Sequence, residues 1–277
     1  MILVDNSQVL FSNIFSSLKH TDNLDEDFCR HMVLNTYRMI RKQFRAKYGE
    51  LIICDDSANC WRKDFFPHYK AARKKQQKKS SIDFDSIYKI MNVIRNEVRE
   101  ELPYITLKVD RLEADDIIAI LCEKYHQSEN ILIVSNDKDF QQLQRYPNVS
   151  QYSPMVKKFV ECSNPQDFLI EHIIKGDVSD GIPNVLSDSD TFVVESKRQK
   201  PCGKKKISQI KENLEDELIQ DNLERNQKLI DMTKIPNEYY SLVMNEYEEY
   251  DVPDRKNLLD YFIRNRLQNL MSSLGDF

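Results

Sequence analysis

Carboxylates in this chain collect directly after apolar runs. ITLKVD at residues 105–110 leads into RLEADD, which supplies Glu113, Asp115 and Asp116. ENILIVSNDKDF at residues 129–140 supplies Asp137 and Asp139 in the same way. Two shorter apolar runs behave alike: residues 2–4 end at Asp5, and residues 51–54 end at Asp55 and Asp56. Acids crowded together repel by several kcal/mol unless protons or cations neutralise them. Oxygen donors with few histidines among them suit Mg²⁺ or Mn²⁺ rather than zinc. The chemistry on offer is therefore divalent-metal chemistry. None of the 5 histidines stands beside a plausible nucleophile, which leaves no Ser/His/Asp or Cys/His alternative. His31 and His172 lie in helical patterns and read as ordinary surface or core residues.

The elements that must position these acids follow from periodicity. Residues 105–109 and 131–134 are β-branched runs flanking helical spacing at Ile117, Ile118, Leu121 and Cys122, a strand–helix–strand unit of a parallel sheet. In open α/β sheets ligands bind beyond the carboxyl ends of the strands. Four strands starting at Ile2, Leu51, Ile105 and Ile131 would place their acids on one edge. A further short strand is predicted over 149–152. Helices are predicted over 28–48, 84–102 and 168–174, with a helical continuation at 141–143. Gly49 and Gly176 are the stops after 28–48 and 168–174. Residues 74–79 carry no apolar periodicity and read as mobile in the absence of a polyanion. Residues 186–206 read as a loop, and residues 207–232 and 239–274 as helical patterns interrupted by Pro236 and Pro253. The composition shift places a domain boundary between 174 and 175.

Composition limits the remaining classes. Hydrophobic residues make up 40 % of the 277, enough for a substantial core, and only 5 are glycine. Neither the P-loop pattern nor the dinucleotide fingerprint is present. The 6 cysteines form no CxxC pair and read as reduced thiols of a cytoplasmic protein. No apolar run approaches the roughly 20 residues of a membrane span, and the start MILVDNS lacks a secretory pattern. The net charge of −5 is unevenly spread. Residues 61–79 carry +7 and residues 197–206 carry +6, which leaves −18 elsewhere. Two basic segments on an acidic protein are the pattern of polyanion-binding arms.

These motifs, in this order, resemble the flap endonuclease and 5′-3′ exonuclease family. The matching pieces are LVDNSQ at residues 3–8, CDDSANCWRKDF at 54–65, YKAAR at 69–73, EADD at 113–116, SNDKDF at 135–140, YPNVSQYSPM at 146–155 and KGDVSDGIP at 175–183. Together they cover nearly the whole chain. The resemblance implies an α/β fold with a mostly parallel central sheet flanked by helices, a PIN-like nuclease core, and a smaller helical C-terminal domain from residue 175. It implies one metal group of Asp5, Asp56, Glu113, Asp115 and Asp137. A second would use Asp139, Asp177 and Asp180, partly through water, and Asp116 would help hold the cluster. Lys70 and Arg73 match the family's basic pair at the scissile phosphate, and Arg62 another basic position on that wall. Residues 61–83 would form an arch for a single-stranded 5′ flap, with Lys74 and Lys75 on the nucleic acid. One departure stands out: the glycine-rich helix–hairpin–helix common after the second acid turn is largely missing at residues 182–186. The basic 197–206 segment, with Lys204, Lys205 and Lys206, is the candidate for duplex contact in its place.

The implied activity is two-metal hydrolysis of phosphodiesters. Two Mg²⁺ ions about 4 Å apart, or Mn²⁺ in their place, can clamp a phosphodiester for in-line attack. Lys70 and Arg73 would stabilise charge developing on the phosphoryl oxygens. Substrates would be RNA of RNA–DNA hybrids and DNA with 5′ ends or flaps, as in primer removal during lagging-strand replication. The protein would be a monomer in the cytoplasm of an infected host cell, working beside a sliding clamp and a single-strand-binding protein. Two alternatives remain: a PIN-type ribonuclease, and a non-catalytic nucleic-acid binder with a relict acid cluster. The tail over 268–277, with Leu270, Leu274 and Phe277, has two readings. It is either a helix end folded back on its own domain or a peptide that docks on the clamp.

Overall fold

The computed structural model describes residues 1–18 and 24–277, with the side chains of 74–76 and 78 left out. The apolar runs form parallel strands β1 (Ile2–Asp5), β2 (Leu51–Cys54), β3 (Ile105–Leu107) and β4 (Ile131–Val134). β5 (Val149–Ser153) extends the sheet in parallel, and β6 (Lys158–Val160) closes the edge in antiparallel pairing. The order is β3-β2-β1-β4-β5-β6. The chain thus runs outward from β1 to β3, then returns to start the other half at β4. That reversal beside β1 is the switch point where such sheets open a crevice.

The strands read as unbroken apolar runs because both faces are covered. Alternate side chains point to opposite faces. Leu3, Ile52 and Ile133 join one core, while Ile2, Val4, Ile53 and Val134 join the other. The second core is roofed by α1 (Asn6–Leu18) and α2 (Glu26–Tyr48). Asp25 caps α2 by accepting from the Phe28 amide, and Gly49 ends it at a φ of 87°. The arch segment is more ordered than its sequence pattern predicts. It contains α3 (Arg62–Phe65) and α4 (Ala71–Lys79). Since α4 has no apolar stripe, good helix formers rather than packing account for it. α5 (Phe84–Glu101) then returns to the second core through Ile87, Ile90, Met91, Ile94 and Val98. α6 (Ala114–Tyr125) covers the first core with Ile117, Ile118 and Leu121.

α7 (Pro165–Lys175) is capped by Asn164 and ends at Gly176. The predicted loop stops at residue 203, because Lys204 already opens α8 (Lys204–Glu212). The single helical pattern over 207–232 breaks into α8 and α9 (Gln220–Ile230). A small third core of Ile174, Val185, Ile207, Ile210 and Ile219 binds these pieces to α7. α10 (Glu238–Glu248) packs Tyr239 and Val243 into the first core. α11 (Leu258–Arg264) and α12 (Gln268–Met271) pack Leu258, Tyr261, Phe262 and Leu270 into the second. Phe277 is fully buried there, edge-on to Phe262 at 5.1 Å. Asp276 is pinned by Arg38 and Lys42 of α2. The tail is therefore folded back, and its terminal ring is not available as a docking anchor. All six cysteines are free thiols. Among the described residues no helix is long and apolar enough to cross a membrane.

Candidate active site

Asp5 is the last residue of β1, at the switch point, and is nearly buried. It accepts hydrogen bonds from the Gln8 amide at 3.2 Å and the Ser135 hydroxyl at 3.1 Å. Asp56, just past β2, accepts from the Ala114 amide at 2.9 Å and from the Ser7 hydroxyl. The edge of β2 and the first turn of α6 are thereby tied together. Asp115 lies in that first turn, and Asp137 follows β4 with its amide on the Ser135 hydroxyl at 3.0 Å. Burial pushes Asp5 up to about 7, helped by Asp56 and Asp137. Burial also raises Asp115 well above the carboxylate range, with Asp5 and Asp137 adding repulsion. Asp137 moves up as well, chiefly through burial. Asp5, Asp115 and Asp137 repel one another, and among the described residues none of the three is ion-paired, although Lys70 offsets part of the repulsion at Asp115 and Asp137.

Glu113 behaves in the opposite way. Lys70 donates to one of its oxygens at 2.6 Å, and Tyr69 donates to the other at 2.8 Å. Burial alone would raise its pKa, but Lys70 and Arg62 outweigh that and hold it at about 2. Lys70 adopts a left-handed backbone, φ 56°, at the entry to α4, and also stands 3.7 Å from Asp180. Burial would lower the Lys70 pKa, yet Asp180 and Glu113 keep it raised. Arg73 donates to Asp180 at 2.5 Å and to the Ser179 carbonyl at 3.2 Å. Lys70 and Arg73 thus both lie against the acids.

Two predicted residues stand behind the site rather than on it. Arg62 is buried and donates to Asp116 at 2.7 and 2.9 Å, to Glu113 at 3.3 Å and to the Leu229 carbonyl at 3.0 Å. A guanidinium so enclosed has no face left for a phosphate, which corrects its expected place on the nucleic-acid wall. Asp116 is fully buried, and both its oxygens are engaged by Arg62, Trp61 and the Glu113 amide. It closes the capping box that starts α6 and so aims Glu113 and Asp115. It offers no free oxygen to a metal, so its role is the frame. The side chains of Lys74 and Lys75 lie outside the described residues. Lys204, Lys205 and Lys206 are exposed in the first turn of α8, away from these hydrogen bonds.

The second acid group forms after α7. Gly176 (φ 66°) admits no side chain, since a Cβ there would lie 2.3 Å from the Ile182 carbonyl oxygen. The turn closes through the Ile182 amide on the Asp177 carbonyl at 2.7 Å. One Asp177 oxygen accepts from the Ser179 amide at 2.8 Å, and the other accepts from Lys138 at 2.7 Å. These bonds overcome burial and hold Asp177 at about 2. His172 also points here, 3.3 Å from Asp139 and 3.4 Å from Asp177. Among the described residues, Asp139, His172 and Asp177 are the one set whose ligand atoms lie within 4.8 Å of one another. His172 Nε2 and Asp139 Oδ1 are buried and accept or donate no hydrogen bond. Such orphans are expensive unless a cation completes them. The donors here, carboxylates and an imidazole, fit a divalent ion. His172 was read as an ordinary helical histidine. The signal was its place beside Leu169 and Ile173 on the buried face of α7, one turn before an acidic turn.

Carboxylates gathered at the switch point of a parallel sheet, faced by lysine and arginine, are an arrangement suited to hydrolysis of phosphodiesters with divalent ions. The comparisons give this arrangement its family. Residues 1–171 match the family described as "5′-3′ exonuclease, N-terminal resolvase-like domain", and residues 163–277 match "T4 RNase H, C terminal". The chain belongs to the 5′-3′ exonuclease family and is a nuclease. It is 30 % identical to the ribonuclease H of Enterobacteria phage T4, over 99 % of this chain and 95 % of that protein. A 5′-3′ exonuclease of Buchnera aphidicola is 29 % identical, over 67 % of this chain and 65 % of that one. Among solved structures, the flap endonuclease of bacteriophage T5, in a complex with DNA and metal ions, superposes with a TM-score of 0.64. It is 16 % identical and aligns over 96 % of this chain and 98 % of that one. The zinc-bound 5′-exonuclease of T5 superposes with a TM-score of 0.62 at 15 % identity, aligning over 96 % of this chain and 98 % of that one.

Proposed function

We propose that this nuclease removes nucleotides from 5′ ends, hydrolysing RNA in RNA–DNA hybrids and DNA at 5′ ends and flaps, with two Mg²⁺ ions. The observation that carries the reading is the juxtaposition of two carboxylate groups beyond the sheet edge, with Lys70 against Glu113 of one and Asp180 of the other and Arg73 on Asp180. Asp5, Asp56, Glu113, Asp115 and Asp137 would hold one ion, and Asp139, Asp177 and Asp180 the other. Mn²⁺ would substitute. Bound divalent ions supply Lewis acidity toward phosphoryl oxygens and activate water near neutral pH. The chain's own residues do the rest. Ser7, Ser135 and the Ala114 amide aim the Asp56 and Asp5 oxygens. Lys70 and Arg73, held to Glu113 and Asp180 in the free protein, would turn to the phosphate as it arrives and stabilise the charge that grows in the transition state.

The helical arm α4, with Lys74 and Lys75, would guide a single-stranded 5′ end over the acids. Lys204, Lys205 and Lys206 would grip the duplex behind it. Three lysines in the first turn of α8 oppose the helix dipole and so do nothing for the fold, whereas a phosphate there gains from both lysines and amides. The division into a nuclease domain over 1–174 and a duplex-binding domain over 175–277 belongs to the same reading. So do a monomer, primer removal on the lagging strand in an infected cell's cytoplasm, and cooperation with a clamp and a single-strand-binding protein. The test is one assay on a 5′-labelled flap and a 5′-labelled RNA–DNA hybrid, with Mg²⁺ and with EDTA. Release of short 5′ products from both substrates, only with Mg²⁺, is expected. Cleavage confined to single-stranded RNA would favour a PIN-type ribonuclease, and binding without cleavage a relict site.

A further inference from the structure

The last turn of α7, which faces the acid turn, carries one residue whose chemistry differs from its neighbours. His172 is 6 % exposed, and its Nε2 atom finds no hydrogen-bond partner. It stands 3.3 Å from Asp139 Oδ1, itself a buried oxygen without a partner, and 3.4 Å from Asp177 Oδ2. Three ligand-type atoms thus approach one another closely without bonding to each other. A shell of donors about 2.1 Å from an ion has neighbouring donors about 3.0–3.4 Å apart, for octahedral and tetrahedral arrangements respectively. The two measured edges fall at that spacing. We propose that His172 supplies a nitrogen ligand to the divalent ion held at Asp139 and Asp177, so that this second position, while still serving Mg²⁺, binds Mn²⁺ or another imidazole-accepting ion more tightly.

The proposal rests on the reading of Asp139 and Asp177 as a metal group and adds to it a third ligand and a preference among ions. Imidazole favours the later transition ions, while Mg²⁺ prefers oxygen and water. Lys138, whose side chain is 51 % exposed, now sits on Asp177 Oδ2 and can swing into solvent when an ion arrives.

The deciding measurement is pulsed electron paramagnetic resonance of Mn²⁺ on the intact chain, made with ordinary and with ¹⁵N-labelled histidine. A nitrogen coupling that changes with the isotope is expected in the wild type and is expected to vanish in His172→Gln. Calorimetric titration of His172→Gln should show Mn²⁺ affinity reduced about tenfold, in the range found when a metal site loses a supporting group. Its Mg²⁺ affinity should change far less. The metal-free melting temperature checks that the variant folds, and the wild-type isotope experiment needs no variant. Two Mn²⁺ ions bound with no nitrogen coupling would overturn the histidine ligand but leave the acid groups standing, provided Asp177→Asn still loosens one ion. If Asp177→Asn also leaves Mn²⁺ binding unchanged, the second metal group itself is wrong.

Discussion

The two acid groups use the same side chain in opposite electrostatic states. Asp5, Asp115 and Asp137, set on strand ends and the start of α6, are raised by burial and by one another. The Asp5 carboxylate accepts from the Gln8 amide and the Ser135 hydroxyl, and that of Asp137 from the Asp139 amide, which orient a carboxylate without cancelling its charge. Asp177, set on a turn, is lowered because Lys138 and Ser179 satisfy it. Asp180 is likewise paired with Arg73. In the first group Glu113 alone is held by cations, Lys70 and Arg62, while among the described residues Asp5, Asp115 and Asp137 are ion-paired with none. The second holds the protein's own cations in reserve, and an ion or a phosphate must displace them. Asp139 is the exception in the second group: burial, Asp137 and Asp177 raise it, and its free oxygen faces His172. The comparison teaches that a count of acids does not tell an unfilled site from a self-neutralised one; the partners do.

The largest test separates the groups by activity and stability together. Asp115→Asn should cut turnover by at least about a hundredfold, the scale of losing one preorganised charge-stabilising element. It should leave the metal-free protein as stable or more so, since it relieves repulsion. Asp177→Asn should also impair turnover but should lower the metal-free melting temperature, because Lys138 and Ser179 lose their partner. Equal stability changes in the two variants would erase the distinction drawn above. Lys70→Ala comes next. Its turnover should fall roughly tenfold or more with a smaller change in substrate affinity, as for a group that acts in the transition state. An effect on affinity alone would make this wall a docking surface.

The contrast also predicts opposite pH dependences without metal. Asp5 has its folded pKa raised from 3.8 to about 7, so the folded state binds the extra proton across that interval. Stability should therefore fall as pH rises from about 4 to about 7 and level off above. Asp177 is lowered from 3.8 to about 2, so its contribution is present above 3.8 and is lost as pH falls toward 2. Thermal melts in EDTA at pH 5 and pH 8 should show the lower value at pH 8. Saturating Mg²⁺ should remove that difference, since an ion at a hundred times its dissociation constant adds about 2.7 kcal/mol. A metal-free protein equally stable at both pH values would mean the first group is neutralised by something else.

Much of this was legible because the relevant signals are local. An apolar run followed by an acid names both a strand and its sheet edge, so β1, β2, β4 and their carboxylates could be placed from the sequence. The capping pattern of Glu113 and Asp116 is equally local. What could not be read were partners far apart in sequence. Arg62 looked like a phosphate contact because nothing in residues 61–79 shows that Asp116 and the Leu229 carbonyl enclose it. The tail stayed ambiguous because its receptor, Arg38, Arg41 and Phe262, includes residues more than 230 positions away. α4 was missed because its sequence carries no apolar stripe. His172 was missed because one histidine on an apolar helix face is ordinarily packing, and only the acidic turn folded under it makes the position unusual.

The smallest expected effect probes the reserve cations directly. Lys138 donates to Asp177 at 2.7 Å, yet half of its side chain is in solvent. Ion pairs this exposed contribute on the order of 0–1 kcal/mol, so the bond is a weak competitor for an arriving ion. Lys138→Met keeps the aliphatic stem and removes that competitor. Affinity for Mn²⁺ at the second group should then tighten by a few fold, which matches about 1 kcal/mol at most. The first group should change less, because Lys138 bonds to none of its acids and acts on Asp137 only through space. Calorimetric titration of the variant against the wild type, at one ionic strength, reads both sites in one experiment. Tightening mainly at one of two sites would confirm that Lys138 occupies metal space in the free protein. Unchanged Mn²⁺ binding with weaker substrate affinity would show instead that Lys138 serves the nucleic acid, and the second group would then resemble the first more closely than its hydrogen bonds suggest.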